Sequence, residues 1–237
     1  MAFARKLAPR YDLLLVARRE AELQSLAADL RSRHRIAVDI LAADLGDEMQ
    51  LRQVEDRLLR ESNLALLINN AGFGLRGAFW QTDIALIEKM LRLHCTAAAR
   101  LMHAALRVLV AQNRGAVVNV ASVAAFAPRA GNAIYGSTKS WLAALTEGIH
   151  LDLKRAGSAV TVQALCPGFT LSQFHDLLGE DRRRLAPPFM WMTAERVVDA
   201  SLAGLDKGAL YVVPGWHYKI VAAVLTKVPR WLKLRLV

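Results

Sequence analysis

Apolar residues in this chain fall into short unbroken runs that alternate with rows at helical spacing. Residues 11–17 form a run of the length expected for a strand buried on both faces, and residues 19–33, rich in alanine and leucine, read as a helix. Residues 36–42 predict the next strand, which ends at Ala43-Asp44-Leu45. A helix over 47–60 sets Leu51, Val54, Leu58 and Leu59 on one face, and residues 64–68 give another strand followed by a glycine-rich turn. Helical spacing covers 83–112, a strand covers 116–121, and a long helix covers 132–155. Residues 160–165 form a strand that runs into Cys166-Pro167-Gly168, with a helix over 194–205 and a last strand over 210–213. Strands alternating with helices predict one α/β domain over residues 1–214, a doubly wound, Rossmann-like parallel sheet with helices on both faces. Such sheets bind ligands outside the carboxyl ends of their strands. Arg18, Asp44, Asn70, Ser122 and Pro167 all follow predicted strands.

Two segments leave this rhythm. Residues 172–193 carry Phe174, Leu177, Leu178, Pro187, Pro188, Phe189, Met190, Trp191 and Met192, which suits either a lid over an apolar substrate or a packed connection. Residues 215–237 form a tail with Lys219, Lys227, Arg230, Lys233 and Arg235 and no acid. Its Ile220, Val221, Val224, Leu225 and Val228 stand at helical spacing. A basic amphipathic helix of this kind fits a membrane surface or packing on a protein, and Trp216, Tyr218 and Trp231 suit a headgroup layer or a partner surface.

With 237 residues and 54% hydrophobic content, the chain is long enough for one well-buried core. Cys95 and Cys166 lie in apolar segments without metal-ligand spacing, so a reducing, cytoplasmic setting fits best. No apolar run is long enough to span a membrane, and the apolar stretch 13–17 behind the basic start is too short for a signal peptide. The net charge of +10 is scattered over several helices without an RNA-binding signature, which argues against nucleic acid as a partner.

The candidate chemistry centres on Tyr135-Gly136-Ser137-Thr138-Lys139, with Ser122 thirteen residues upstream. Positions i and i+4 share a helix face, so the Lys139 ammonium is expected beside the Tyr135 phenol, favouring its ionised form. A phenol tuned in this way can exchange a proton with a carbonyl or alcohol while a serine hydroxyl holds the substrate oxygen. Cys166 reads as a small core residue, since no base flanks it.

Asn69-Asn70-Ala71-Gly72, Ser122, Tyr135-x-x-x-Lys139 and Pro167-Gly168 occur in an order and spacing that closely resemble the short-chain dehydrogenase/reductase family, over residues 1–214. The likeness is nearest to a bacterial, NADP-linked branch with Ala17-Arg18-Arg19 after a strand and Cys166-Pro167-Gly168-Phe169-Thr170 after a later one. The resemblance implies a nicotinamide between Tyr135 and Pro167-Gly168 and an apolar carbonyl or alcohol facing Ser122. It makes Tyr135 the proton donor and Lys139 the residue that holds the nicotinamide ribose and lowers the tyrosine pKa. Thr170 would fix the carboxamide, although a threonine after a turn often bonds only the backbone. Asp44 would touch the adenine, and Asn70, Ala71 and Gly72 would line the cofactor cleft. Arg18 would contact the 2′-phosphate of NADP, making NAD the less favoured cofactor, unless Arg18 is simply a solvated charge. Relatives commonly form homodimers or homotetramers through the helices corresponding to 83–112 and 132–155.

Three departures from the family pattern matter. Gly72-Phe73-Gly74-Leu75-Arg76-Gly77 matches a dinucleotide fingerprint but does not open a helix directly, the helix being expected only at Thr82 or Asp83. Residues 1–8 resemble the later turns of the family's first helix, so that its first strand and Gly-rich turn are expected upstream of Met1. Either the native protein is longer or the chain is a truncated relative, and the latter favours a non-catalytic binding or peripheral membrane protein as the alternative function. Without that strand, the strands at residues 11–17 and 64–68 must pair directly or leave backbone groups unpaired. Finally, His94 takes the place of an asparagine that helps hold a water in a proton relay, and its ability to titrate predicts a shifted pH profile.

Overall fold

The computed structural model describes residues 1–127, 129–172 and 185–229. After α1 (Ala2–Leu7), β1 (Leu13–Ala17) leads through α2 (Glu20–His34) to β2 (Val38–Ala42), and α3 (Glu48–Leu59) leads to β3 (Leu66–Asn69). A 3-10 turn (Phe79–Gln81) precedes α4 (Ile84–Leu91), which continues through a π-helical turn (Arg92–Ala97) into α5 (Ala98–Gln112). Then come β4 (Ala116–Val120), a 3-10 turn (Val123–Phe126), α6 (Ala133–Arg155) and β5 (Thr161–Leu165). The short β6 (Thr170–Leu171) and β7 (Met192–Thr193) flank the 3-10 turn Pro188–Met190. The described chain ends with α7 (Ala194–Leu205), β8 (Tyr211–Val212) and α8 (Trp216–Lys227).

All strand pairs among the described residues are parallel. The order β3-β4-β5-β8 forms one sheet and β1-β2 another. The fold is Rossmann-like, as the alternating pattern predicts, and side-chain alternation along the strands explains why it is covered on both faces. Leu51, Val54 and Leu58 of α3 pack with Leu101 and Ala104 of α5 on one face, against Val16, Leu41 and Leu67. Val117 and Val162 join that side, where Met102, Ala105 and Leu109 of α5 and Leu153 of α6 meet them. Their neighbours Val118 and Leu165 point the other way, to Val197 of α7 and Tyr218 of α8. On this second side Ala8, Leu26, Ala27 and Leu30 enclose Val38.

Of the two outcomes expected for the strands at residues 11–17 and 64–68, direct pairing is not made. β1 bonds β2 and β3 bonds β4, so the sheet is interrupted between β1 and β3. Neither strand facing the interruption is fully buried, and water can therefore satisfy their free edge groups, which a buried edge would leave unpaired. Of the lid candidate, residues 173–184, including Phe174, Leu177 and Leu178, lie outside the described residues. The described remainder is tied down by parallel pairing of β6 with β7. Trp231 also lies outside them. Among the described residues no helix is long and apolar enough to cross a membrane, and no cluster of His, Cys, Asp or Glu is placed to hold a metal ion.

Candidate active site

Because the strands are parallel, the residues that follow β1 to β5 emerge along their carboxyl ends. Ser122, two residues beyond β4, caps the 3-10 turn: its Oγ accepts the Ala124 N–H at 3.1 Å. The Val123 N–H donates to Pro167 O at 3.0 Å, and this bond joins the loops after β4 and β5. α6 starts at Ala133, so Tyr135 and Lys139 fall one turn apart in its first half. Ser122 hydrogen-bonds the Tyr135 phenol. The structure thus brings together Ser122, Tyr135, Lys139 and the Pro167-Gly168 loop.

The electrostatics differ from the expectation. Burial raises the Tyr135 phenol above its usual pKa, opposed first by the Ser122 hydrogen bond and then by the charge of Arg76. Lys139 is not among the groups that lower it. Its Nζ lies 5.7 Å from the Tyr135 ring centroid and donates to Val120 O at 2.9 Å. Burial lowers the Lys139 ammonium to about 8, with Cys95 and Cys166 opposing the shift. Arg76, whose charge acts on the Tyr135 phenol, is not singled out by sequence, because it sits inside the false fingerprint. That fingerprint lacks the helix it needs: α4 begins at Ile84, with the Asp83 carboxylate accepting the Ala85 N–H at 2.9 Å.

His94 requires a correction. It stands in the π-helical turn, a geometry that re-aims side chains and is frequent at functional sites. It is buried, with 2% exposure. Its Nε2 accepts the Phe73 N–H at 3.0 Å and its Nδ1 lies 3.0 Å from Thr138 Oγ1. Thr138 donates its single hydroxyl proton to Tyr135 O, so it must accept from His94. Both contacts together fix the neutral tautomer protonated on Nδ1. A second proton would have to sit on Nε2, against the Phe73 N–H. Burial, aided by the charge of Lys139, lowers its pKa to about 3. Both ring nitrogens are occupied by protein groups, so His94 neither titrates near neutrality nor has a nitrogen free for a water. A Cβ on Gly72 would lie 2.8 Å from Nε2, and glycine at that position lets the imidazole reach the Phe73 amide.

This geometry predicts acid sensitivity. The unfolded chain takes up a proton on His94 below about pH 6.5 and the folded chain only near pH 3. The contribution of neutral His94 is therefore complete above pH 6.5 and is lost as pH falls towards 3. Urea unfolding at pH 7 and pH 4 should show a smaller acid loss for His94→Asn than for the parent chain. Equal losses would rule out the buried neutral imidazole.

At the other end of the row, Arg18 follows β1 and its guanidinium is 3.9 Å from Asp44, beyond β2. Asp44 Oδ1 also accepts the Gly46 N–H at 2.9 Å. An exposed ion pair of this length is worth only about 0–1 kcal/mol, so Arg18 is available to a stronger anion. Asn70 and Ala71 are exposed after β3, whereas Asn69 is structural: its Nδ2 donates to Asn119 Oδ1 at 2.9 Å. Thr170 Oγ1 donates to Gly168 O at 3.0 Å, so its proton is used by the backbone. Cys166 is fully buried and its thiol is pushed up to about 12, which agrees with a core role.

Tyr218, expected at a headgroup layer or partner surface, is instead buried, with 3% exposure. Its phenol accepts the Phe169 N–H and donates to Met190 O, each at 2.9 Å. A Cβ on Gly168 would lie 2.0 Å from its Cζ. Tyr218 therefore fixes the loop after β5 from beneath. No local signal distinguishes it from Trp216, because only the packing of α8 decides which face of that helix turns inward.

A nicotinamide dinucleotide fits the two ends of this row. The hydrogen bond of the Lys139 ammonium to Val120 O uses one of its three donors, leaving capacity for ribose hydroxyls beside Tyr135. Arg18 offers a cation to an adenosine phosphate, and Asp44 an acceptor to the adenine amino group. For the diphosphate between them, no glycine-rich turn that opens a helix after a strand occurs among the described residues.

The family model for the short chain dehydrogenase matches residues 1–183. A short-chain dehydrogenase from Sphingobium yanoikuyae, solved in complex with NADPH, is 34% identical. The alignment covers 97% of this chain and 91% of that one, with a TM-score of 0.85. The bulky-bulky ketone specific alcohol dehydrogenase from Comamonas testosteroni is 31% identical, over 97% of this chain and 90% of its own, with a TM-score of 0.80. Serine 3-dehydrogenase of Agrobacterium fabrum is 34% identical over 167 residues, covering 69% of this chain and 64% of the relative.

Proposed function

Because the chain belongs to the short chain dehydrogenase family, we propose that it is an NADP-dependent oxidoreductase that interconverts a carbonyl and an alcohol on an apolar substrate. The observation that carries this reading is the meeting of Ser122 and Tyr135 above the buried Lys139, beside Pro167-Gly168. NADPH, when bound, supplies the hydride. Ser122 donates a hydrogen bond to the substrate oxygen and aligns it with the Tyr135 hydroxyl. Tyr135, kept protonated by burial, gives its proton to that oxygen as negative charge develops there. Lys139 holds ribose hydroxyls, while the Ser122 hydrogen bond and the charge of Arg76 favour the phenolate that remains. Asn70, Ala71, Gly72 and the loop Pro167-Gly168 line the cleft, and Thr170 can accept a carboxamide N–H through the lone pairs of its hydroxyl. His94 acts by position: through Thr138 and Phe73 it ties the first turns of α6 to the loop after β3.

The half-buried Phe169 and Trp191 rings, 5.1 Å apart, support an apolar substrate, as does the bulky-ketone specificity of the Comamonas relative. Arg18 and the NADPH-bound relative support NADP over NAD. Exposed Ile84 on α4 and Trp141 and Leu151 on α6 suit a homodimer or homotetramer through those helices. A cytoplasmic setting agrees with two free cysteines.

The test is NADPH binding and NADPH-dependent reduction of aromatic and branched ketones by this chain. Arg18→Ala should weaken NADPH binding about tenfold or more, as loss of a charge-assisted hydrogen bond worth about 1.5–3 kcal/mol requires. NADH binding should stay within about twofold, and equal weakening of both would remove Arg18 from phosphate recognition.

A further inference from the structure

α8 has two unlike faces. Tyr218 and Ala222 are buried against the domain. Trp216, Ile220 and Val224, spaced four apart along the opposite side, are 74%, 55% and 52% exposed. The Phe189 ring, carried by the 3-10 turn Pro188–Met190 and 72% exposed, lies at the Trp216 end of this side, across the His217 ring. Phe189 and Trp216 each meet the His217 ring edge to face, at 6.4 and 5.7 Å. Four large side chains thus form one apolar row on the outside of the molecule.

The charges on this helix are of one sign. Lys219 and Lys227 are exposed on the same helix. After Asp206 the chain carries Lys207, Lys219, Lys227, Arg230, Lys233 and Arg235 and no Asp or Glu. An apolar row with aromatic rings, edged by cations without acids, has the composition of a surface that meets anionic lipid. A second copy of the chain is a poorer occupant, since a two-fold contact of α8 with itself would set Lys219 and Lys227 against their own copies with no acid on that helix.

We propose that this face docks on an anionic phospholipid surface, with Phe189, Trp216, Ile220 and Val224 entering the headgroup layer and Lys219 and Lys227 meeting lipid phosphates. The consequence rests on the reductase reading: Tyr218 joins α8 to the loop after β5, so docking would hold the mouth of the cleft at the lipid, where apolar carbonyl compounds accumulate.

The experiment is co-sedimentation of the full chain with phosphatidylcholine vesicles, with and without about one-third phosphatidylserine. Binding should require the anionic lipid and weaken by about tenfold or more in high salt. Ile220→Glu with Val224→Glu, and separately Lys219→Glu with Lys227→Glu, should each reduce it by about tenfold or more while the thermal midpoint holds. Equal sedimentation with and without phosphatidylserine would overturn the proposal. So would undiminished binding by both variant pairs. If neither vesicle binds and Ile220→Glu with Val224→Glu instead dissolves a dimer seen by light scattering, the face belongs to a second copy and the proposal falls. An acidic protein captured in place of vesicles would also overturn it. None of these readouts uses turnover, so an inactive chain that still binds vesicles would remove the reductase reading and leave the docking face intact.

Discussion

Tyr135→Phe is expected to lower carbonyl reduction by about 10²–10⁴-fold while NADPH binding and thermal stability stay near those of the parent chain. Phenylalanine keeps the ring that stands edge-on to His94, with centroids 6.0 Å apart, and keeps the surface beneath Lys139. Only the hydroxyl and its hydrogen bond to Ser122 are lost. A structural tyrosine would respond differently, with a fall in stability and no selective fall in turnover. The check is steady-state NADPH oxidation with a bulky ketone, paired with NADPH titration by fluorescence. A Tyr135→Phe chain that turns over within about threefold of the parent would reject the assigned acid, since general acid catalysis contributes far more than that.

Much of this site can be read from sequence because strand ends and helix starts are local events. The apolar runs before Arg18, Asp44, Asn70, Ser122 and Pro167 identify strands, and a parallel sheet then gathers their carboxyl ends without further information. The four-residue spacing of Tyr135 and Lys139 likewise survives any detail of packing. What sequence does not convey is where side chains meet across elements. Lys139 shares a helix face with Tyr135, yet its ammonium turns to Val120 O, because a buried cation gains more from a fixed carbonyl than from the face of a ring. A histidine at residue 94 is free to titrate as far as sequence goes, and only the π-helical turn and the partners at Phe73 and Thr138 reveal that it is held neutral. The interruption between β1 and β3 differs in kind: the sequence leaves two outcomes open there, because strand pairing is a long-range property, and the structure decides against direct pairing.

Gly168→Ala carries the second large effect, and the cause is contact rather than backbone conformation. A Cβ at residue 168 would lie 2.0 Å from Tyr218 Cζ and 2.3 Å from both Cε atoms, far inside van der Waals distance. The ring cannot swing aside freely. Its hydroxyl is held by the Phe169 N–H and by Met190 O, and it is packed with Val118, Leu165 and Met192. Forcing a methyl group into such a contact costs about 1–3 kcal/mol, or roughly 2–4 °C of melting temperature per kcal/mol in a chain of this size. It also displaces the loop that carries Pro167 and Thr170, so the KM for NADPH should rise alongside the loss of stability. A double-mutant cycle separates the steric cause from any other. Tyr218→Ala alone should destabilise by about 3–5 kcal/mol, as an emptied aromatic site does. Adding Gly168→Ala to that background should cost nothing further, because the methyl then enters the space the ring has left. An undiminished cost in the Tyr218→Ala background would show that the ring is not what requires glycine at residue 168.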